Sequence, residues 1–297
     1  MPADRSVLLR VMPWVFVLIW STGFIVARYG MPYAPPLGFL CWRYGLSIAC
    51  FLVWIRLARA PWPQGREQWL HLAVSGALMH GTYLGGVWAA VKAGMGAGTV
   101  ALIVGLQPVL TAVWINATGS THARVSRRQW TGLLLGLLGL VLVVQRKLGV
   151  GELNLHNFAL ALLALAAITV GTLYQKRHVR TGDARTANTV QLLAALAVSL
   201  PFALLESEPI QLHPHFIGAL AWSVFGLTLG GSSLLYILIQ RGAATMVTSL
   251  LYLVPPCTAV MAWVLFDEPL GWSTLAGMAL TACGVGLVVR SPGQRAG

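Results

Sequence analysis

The sequence is poor in charge and poorest in negative charge, with 8 Asp and Glu against 20 Lys and Arg in 297 residues, 9% charged in all. An ordinary soluble domain is about 25% charged, so this scarcity excludes a soluble fold. The eight carboxylates, Asp4, Glu67, Glu152, Asp183, Glu206, Glu208, Asp267 and Glu268, all fall in expected loops or at the ends of apolar runs. None stands mid-run, so the buried acid that proton-coupled carriers and pumps often use as a relay is missing. Cysteine is scarce too. Cys41, Cys50, Cys257 and Cys283 sit inside apolar stretches without the close Cys or His spacing of a zinc site, which leaves neither a metal centre nor a cofactor motif to read. The formal net charge of +12 is dispersed between apolar runs rather than gathered on one surface, which excludes nucleic acid as a partner.

What is abundant is apolar. Hydrophobic residues make up 57% of the chain and the mean hydropathy is +0.73. Each membrane-spanning helix needs roughly 20 apolar residues. Uncharged runs bounded by Gly, Pro or charge lie near 12–29, 37–56, 69–91, 97–118 and 130–145, then near 157–175, 187–205, 216–239, 244–265 and 271–289. The expected fold is therefore all-α and integral to the lipid bilayer, with ten transmembrane helices and no room for a soluble catalytic domain. Arg5 and Arg10 ahead of the first run resemble a secretory signal, but no small-residue cleavage site follows, so this run is expected to stay as a helix.

Charge orients the chain. With both termini cytoplasmic, 15 of the 20 basic residues fall in inner segments and only Arg28, Lys92, Arg146 and Lys147 in outer ones. The positive-inside rule then orients the chain with both termini inside, and the expected location is a bacterial cytoplasmic (inner) membrane. Arg43, the twentieth, stands about six residues into the second run, where it is expected to snorkel to the interface or hold a structural hydrogen bond.

The two halves resemble each other. Pro108 to Val113 aligns with Pro255 to Val260, Gly132 and Gly139 align with Gly277 and Gly284, and Gly23 aligns with Gly171. Five runs per copy is odd, so the second copy enters the membrane from the opposite side, giving an inverted-topology repeat of residues 1–148 and 149–297.

With Trp20-Ser21-Thr22-Gly23-Phe24 in the first run, Arg43 in the second, the Gln107-Pro108 and Pro255 interruptions and Glu268 closing the ninth, the chain resembles the EamA-type members of the drug/metabolite transporter superfamily. The likeness spans nearly the whole chain. It departs near Thr121, where the counterpart of Glu268 lacks the acid, so that glutamate is not expected to have a symmetric role. The resemblance implies a central cavity between the halves, alternating access, and export or uptake of metabolites such as amino acids.

The residues themselves offer candidates. Trp20, His80, Tyr83, Gln107, Ser232, Tyr236 and Tyr252 are expected to line a substrate cavity, since aromatic walls with a few polar groups suit small organic ligands. Thr228, Ser232, Tyr236 and Gln240 share one helical face, as do Thr245, Thr248 and Tyr252; for single Ser and Thr residues interhelical hydrogen bonding is the alternative reading. Pro108, Pro255 and Pro256 interrupt two runs and are hinge candidates. Without a carboxylate, a cation would meet only aromatic faces, about 0.5–2 kcal/mol each, so neutral or zwitterionic metabolites are the expected substrates. His80 is the one central group that titrates near neutral pH, either a proton site or a neutral hydrogen-bonded histidine. An intramembrane enzyme would need a nucleophile with its base, and His80 with Ser232 or Ser233 lacks any triad spacing, so no enzymatic activity is expected. A non-transporting scaffold would leave the polar stripes and paired prolines without a role.

The orientation has a direct test. In a cysteine-free background, a cysteine at position 182 is expected to react with an impermeant maleimide only after permeabilisation, and one at position 210 without it. The reverse pattern would invert the topology.

Overall fold

The computed structural model describes residues 3–117, 127–149, 152–180, 182–231, 234 and 253–289. Among these the regular structure is helical throughout. Its elements are α1 (Ala3–Gly30), α2 (Pro36–Ala58), α3 (Arg66–Gly76), α4 (Tyr83–Lys92), α5 (Ala97–Val104), α6 (Gln107–Ala117), α7 (Arg127–Gly149), α8 (Leu155–His178), α9 (Ala184–Ala203), α10 (Pro214–Ala221), α11 (Val254–Phe266) and α12 (Trp272–Val289). Two π-helical segments complete them. Ala77–Thr82 joins α3 to α4, and Trp222–Gly231 extends α10.

By length and hydropathy alone, α2, α8 and α9 are the helices that qualify to cross a membrane. Several of the others are parts of longer interrupted runs, because α3, the first π segment and α4 are continuous while α5 and α6 are parted only at Gly105 and Leu106. Joined this way, the described helices fall on the ten expected apolar runs.

Local chemistry sets the boundaries. Proline occupies the first turn of α2, where its missing N–H is unneeded, and α2 stops at Arg59 in the left-handed region (φ 49°). α8 opens with a reciprocal capping box between Asn154 and Asn157. Asp183 caps α9 by accepting the Arg185 N–H at 2.9 Å and is further paired with the Arg185 guanidinium, which holds its carboxyl below the usual range.

The core runs through the helix layers, with Phe39 against Trp88 (4.4 Å between rings) and Phe16, Tyr44 and Phe51 fully enclosed. Contacts recur in matched sets under the offset that relates Gly23 to Gly171. Gly23 faces Leu227, and Gly171 faces Met79, the residue equivalent to Leu227. The Ser21 hydroxyl donates to the Val17 carbonyl, and its counterpart Thr169 donates to Leu165. α1 packs on the second π segment and on α11, while α8 packs on α4 and on α6. The most extensive contact among the described helices joins α7 to α12. There Gly139 meets the Gly277 backbone, and Gly132 with Gly136 meets Gly284.

Gly76 shows how close the helices come. A Cβ at that position would run into the backbone of Gln191 on α9, whereas one at Gly45 on α2 would meet nothing within 4 Å. Backbone cannot move aside as a side chain can. Gly76→Ala is expected to destabilise the protein by about 1–3 kcal/mol or more, and Gly45→Ala to leave it unchanged or slightly stabilised, both read from thermal unfolding in detergent.

Candidate functional site

A layer of buried polar side chains crosses the middle of the helices. Arg43 projects from α2 and is only 8% exposed. Its Nε and Nη2 each donate to Thr228 Oγ1 at 3.2 Å, and the Thr228 hydroxyl donates in turn to the Ser223 carbonyl at 2.8 Å. Arg43 thus makes the structural hydrogen bond and does not snorkel, because the second π segment brings an acceptor to it inside the protein. On the first π segment the Tyr44 hydroxyl donates to the His80 carbonyl at 2.6 Å. A π turn loosens the backbone ladder, and such turns concentrate at functional sites.

His80 and Thr228 occupy equivalent positions in the two halves, and so do Arg43 and Gln191. The Gln191 side chain donates to Gln175 Oε1 at 3.3 Å, and Ser75 Oγ donates to the same oxygen at 2.8 Å, while α9 packs against the first π segment, which carries His80. The layer therefore contains one arrangement made twice. In one half Arg43 of α2 bonds to Thr228 on the second π segment, and in the other α9, which carries Gln191, packs on the first π segment, which carries His80.

The expected cavity residues distribute around this layer. His80 belongs to it, and Tyr83, half-buried at the start of α4, lies within electrostatic range of Arg43. Trp20 packs on Phe16 (5.3 Å between rings) and borders Gly231 of the second π segment. Gln107, at the start of α6, donates from Nε2 to Thr172 Oγ1 of α8 at 2.9 Å. Ser232, Tyr236 and Tyr252 lie outside the described residues, as do Ser233, Gln240, Thr245 and Thr248. Pro108 is the second residue of α6, just after the Gly105–Leu106 break; Pro255 and Pro256 stand in the first turn of α11. The two interruptions touch, since a Cβ on Gly105 would lie 2.8 Å from Pro255 Cγ.

Sequence reasoning passed over Gln191, Ser75, Gln175 and Tyr44. The signal for Gln191 was present: carrying the Gly23 to Gly171 offset over to Arg43 lands on it.

At one end of the helices, carboxylates from one part of the chain cap helix starts in another. Glu268, after α11, accepts the Ala97 and Gly98 N–H groups of α5 at 2.9 and 3.4 Å, and Glu152 accepts from Gly96 N and Thr99 Oγ1. Glu206, after α9, accepts Leu37 N and Gly38 N of α2 at 3.0 and 2.8 Å. Lys92 bonds to Glu208 at 2.6 Å and to the Met31 carbonyl. A crevice beside Glu268, bordered by Leu102, Thr274 and Met278, belongs to this end rather than to the central layer.

Apolar helices interrupted at matched points around a buried polar layer have the construction of a membrane transporter. Residues 12–145 and 157–290 each match the EamA-like transporter family, and the chain belongs to that family, within the drug/metabolite transporter superfamily. It is 24% identical over 286 residues to an uncharacterized transporter of Archaeoglobus fulgidus, covering 94% of this chain and 96% of that one. It is also 24% identical to a probable amino-acid metabolite efflux pump of Salmonella typhimurium (91% and 90% covered) and 22% identical to one of Escherichia coli (93% and 92% covered). A protein crystal structure shares its fold with a TM-score of 0.63 at 18% identity, over 94% of this chain and 96% of that one.

The end caps carry a measurable share of stability, since an unsatisfied buried N–H costs about 1–3 kcal/mol. Glu268→Ala is expected to lower the unfolding temperature in detergent, and Glu268→Gln, which keeps an acceptor, to recover most of the loss.

Proposed function

We propose that this chain is a secondary transporter that exports a small amino-acid-like metabolite by alternating access around a midplane cavity. In this reading its ten helices form two inverted five-helix halves in a bacterial inner membrane, with both termini in the cytoplasm. One observation carries it: the equivalent residues Arg43 and Gln191 stand in one buried polar layer on α2 and α9, helices that each pack on one of the two π segments, as expected of a site built at the interface between repeats. The names of the bacterial relatives, amino-acid metabolite efflux pumps, support the substrate class and the direction. The interruptions at Gly105 and Pro255, packed against each other, give the halves a place to rearrange without melting whole helices.

The purified chain in liposomes is expected to carry one or more labelled proteinogenic amino acids faster than empty liposomes do. Absence of protein-dependent flux across the whole amino-acid panel would remove this reading. No carboxylate stands in the central layer among the described residues to relay a proton, which favours an uncoupled carrier over a proton-driven one. An imposed pH gradient is therefore expected to leave accumulation unchanged in wild type and in His80→Gln. Accumulation in wild type that His80→Gln abolishes would instead make His80 the proton site.

A further inference from the structure

We propose that Arg43 is the subsite for the carboxylate of the transported metabolite, so that the carried class is defined by a free carboxylate. This rests on the transport reading above and adds to it the residue and the group it grips.

The argument begins with charge. Arginine stays protonated under all ordinary conditions, and an ion taken out of water without a partner costs several kcal/mol. A buried guanidinium therefore needs an anion, and the protein has none to give. Among the described side chains no carboxylate pairs with Arg43, and six are engaged elsewhere. Glu67 pairs with His71, Asp183 with Arg185 and Glu208 with Lys92. Glu152, Glu206 and Glu268 cap helix starts. Asp267 ends α11, and Asp4 stands in the first turn of α1. The missing anion has to come from outside the chain.

Geometry points the same way. A guanidinium offers five N–H donors in a planar fork that matches the two oxygens of a carboxylate. Two of Arg43's donors converge on the single Thr228 oxygen at 3.2 Å, longer than the usual charge-assisted bond, and the others have no acceptor among the described residues. The neighbouring hydroxyls are unused as well. Ser47 Oγ, one turn along α2 from Arg43, and Ser223 Oγ, whose carbonyl receives the Thr228 hydroxyl, are both fully buried without a hydrogen-bond partner. Buried polar groups are normally satisfied. With Thr228 holding the fork in position, the remaining guanidinium N–H groups are left for an acceptor.

The duplication sharpens the assignment. At the position equivalent to Arg43 the other half carries neutral Gln191, whose amide donates to Gln175 and Ser75. Only one of the two equivalent positions bears charge. A ligand with a single carboxylate is thereby given one orientation, its acid end at α2 and the second π segment and its remaining groups toward the His80 side.

The test uses the full chain in liposomes and the labelled amino acid that it carries fastest. Unlabelled competitors are the same amino acid, its carboxamide and its decarboxylated amine, and competition is insensitive to passive leakage of the amine. The amino acid is expected to compete about 30-fold or more better than the amide or the amine, the penalty typical of leaving a buried charge unpaired. Arg43→Gln is expected to lower its flux by a similar factor and to erase the discrimination, with Arg43→Lys retaining part of both. Equal competition by the amide in wild type overturns the assignment whether or not any variant folds, and so does unchanged flux in a well-folded Arg43→Gln protein. No protein-dependent flux of any amino acid would remove the transport reading itself, and this subsite with it.

Discussion

Inside a bilayer no water is at hand to satisfy a free backbone N–H or C=O, and that constraint explains where this chain places its few acids. Helices that start or break inside the fold expose N–H groups, and at α2 and α5 the acids that answer them come from elsewhere. Glu268 reaches α5 and Glu206 reaches α2 across more than a repeat's length in sequence. The scarcity of carboxylates and the interrupted helices are thus two sides of one arrangement. The described acids close helix ends or pair with other basic side chains, and Arg43 is left in the interior without one among the described side chains.

The π segments satisfy the same constraint by another route. The widened turn frees carbonyls, and hydroxyls take them up: Tyr44 donates to His80, Thr82 to Ala77 and Thr228 to Ser223. A neighbouring helix packs on each π segment, α9 in one half and α2 in the other. Chemical difference within a shared frame, Arg against Gln and Thr against His, gives a duplicated scaffold an asymmetric interior.

Much of the fold was legible in the sequence because hydropathy reports helices directly. The runs near 12–29, 37–56, 157–175 and 187–205 fall on α1, α2, α8 and α9, and the breaks expected at Pro108 and Pro255 coincide with the starts of α6 and α11. The π segments were not legible, since Ala77–Thr82 and Trp222–Gly231 are apolar and Gly-containing like their surroundings. Nor were the caps: Glu206 and Glu268 read as span-ending acids, and nothing local says which distant N–H they accept. Arg43 was visible, but its depth was not, because snorkelling and burial begin from the same sequence position and only the arrival of Thr228 decides between them. Gly23 and Gly171 carried the key to Gln191, which became visible once the offset was applied to polar residues as well as to glycines.

The glycine crossings between α7 and α12 limit what this pair can do. Two backbone-to-backbone contacts, Gly139 with Gly277 and Gly132–Gly136 with Gly284, fix both the separation of the two helices and the angle between them. A pair pinned at two points cannot slide or splay without opening a void at one of them, and close-packed contacts resist that. α7 and α12 therefore behave as a single strut, and flexing elsewhere in the bundle has to pivot around it.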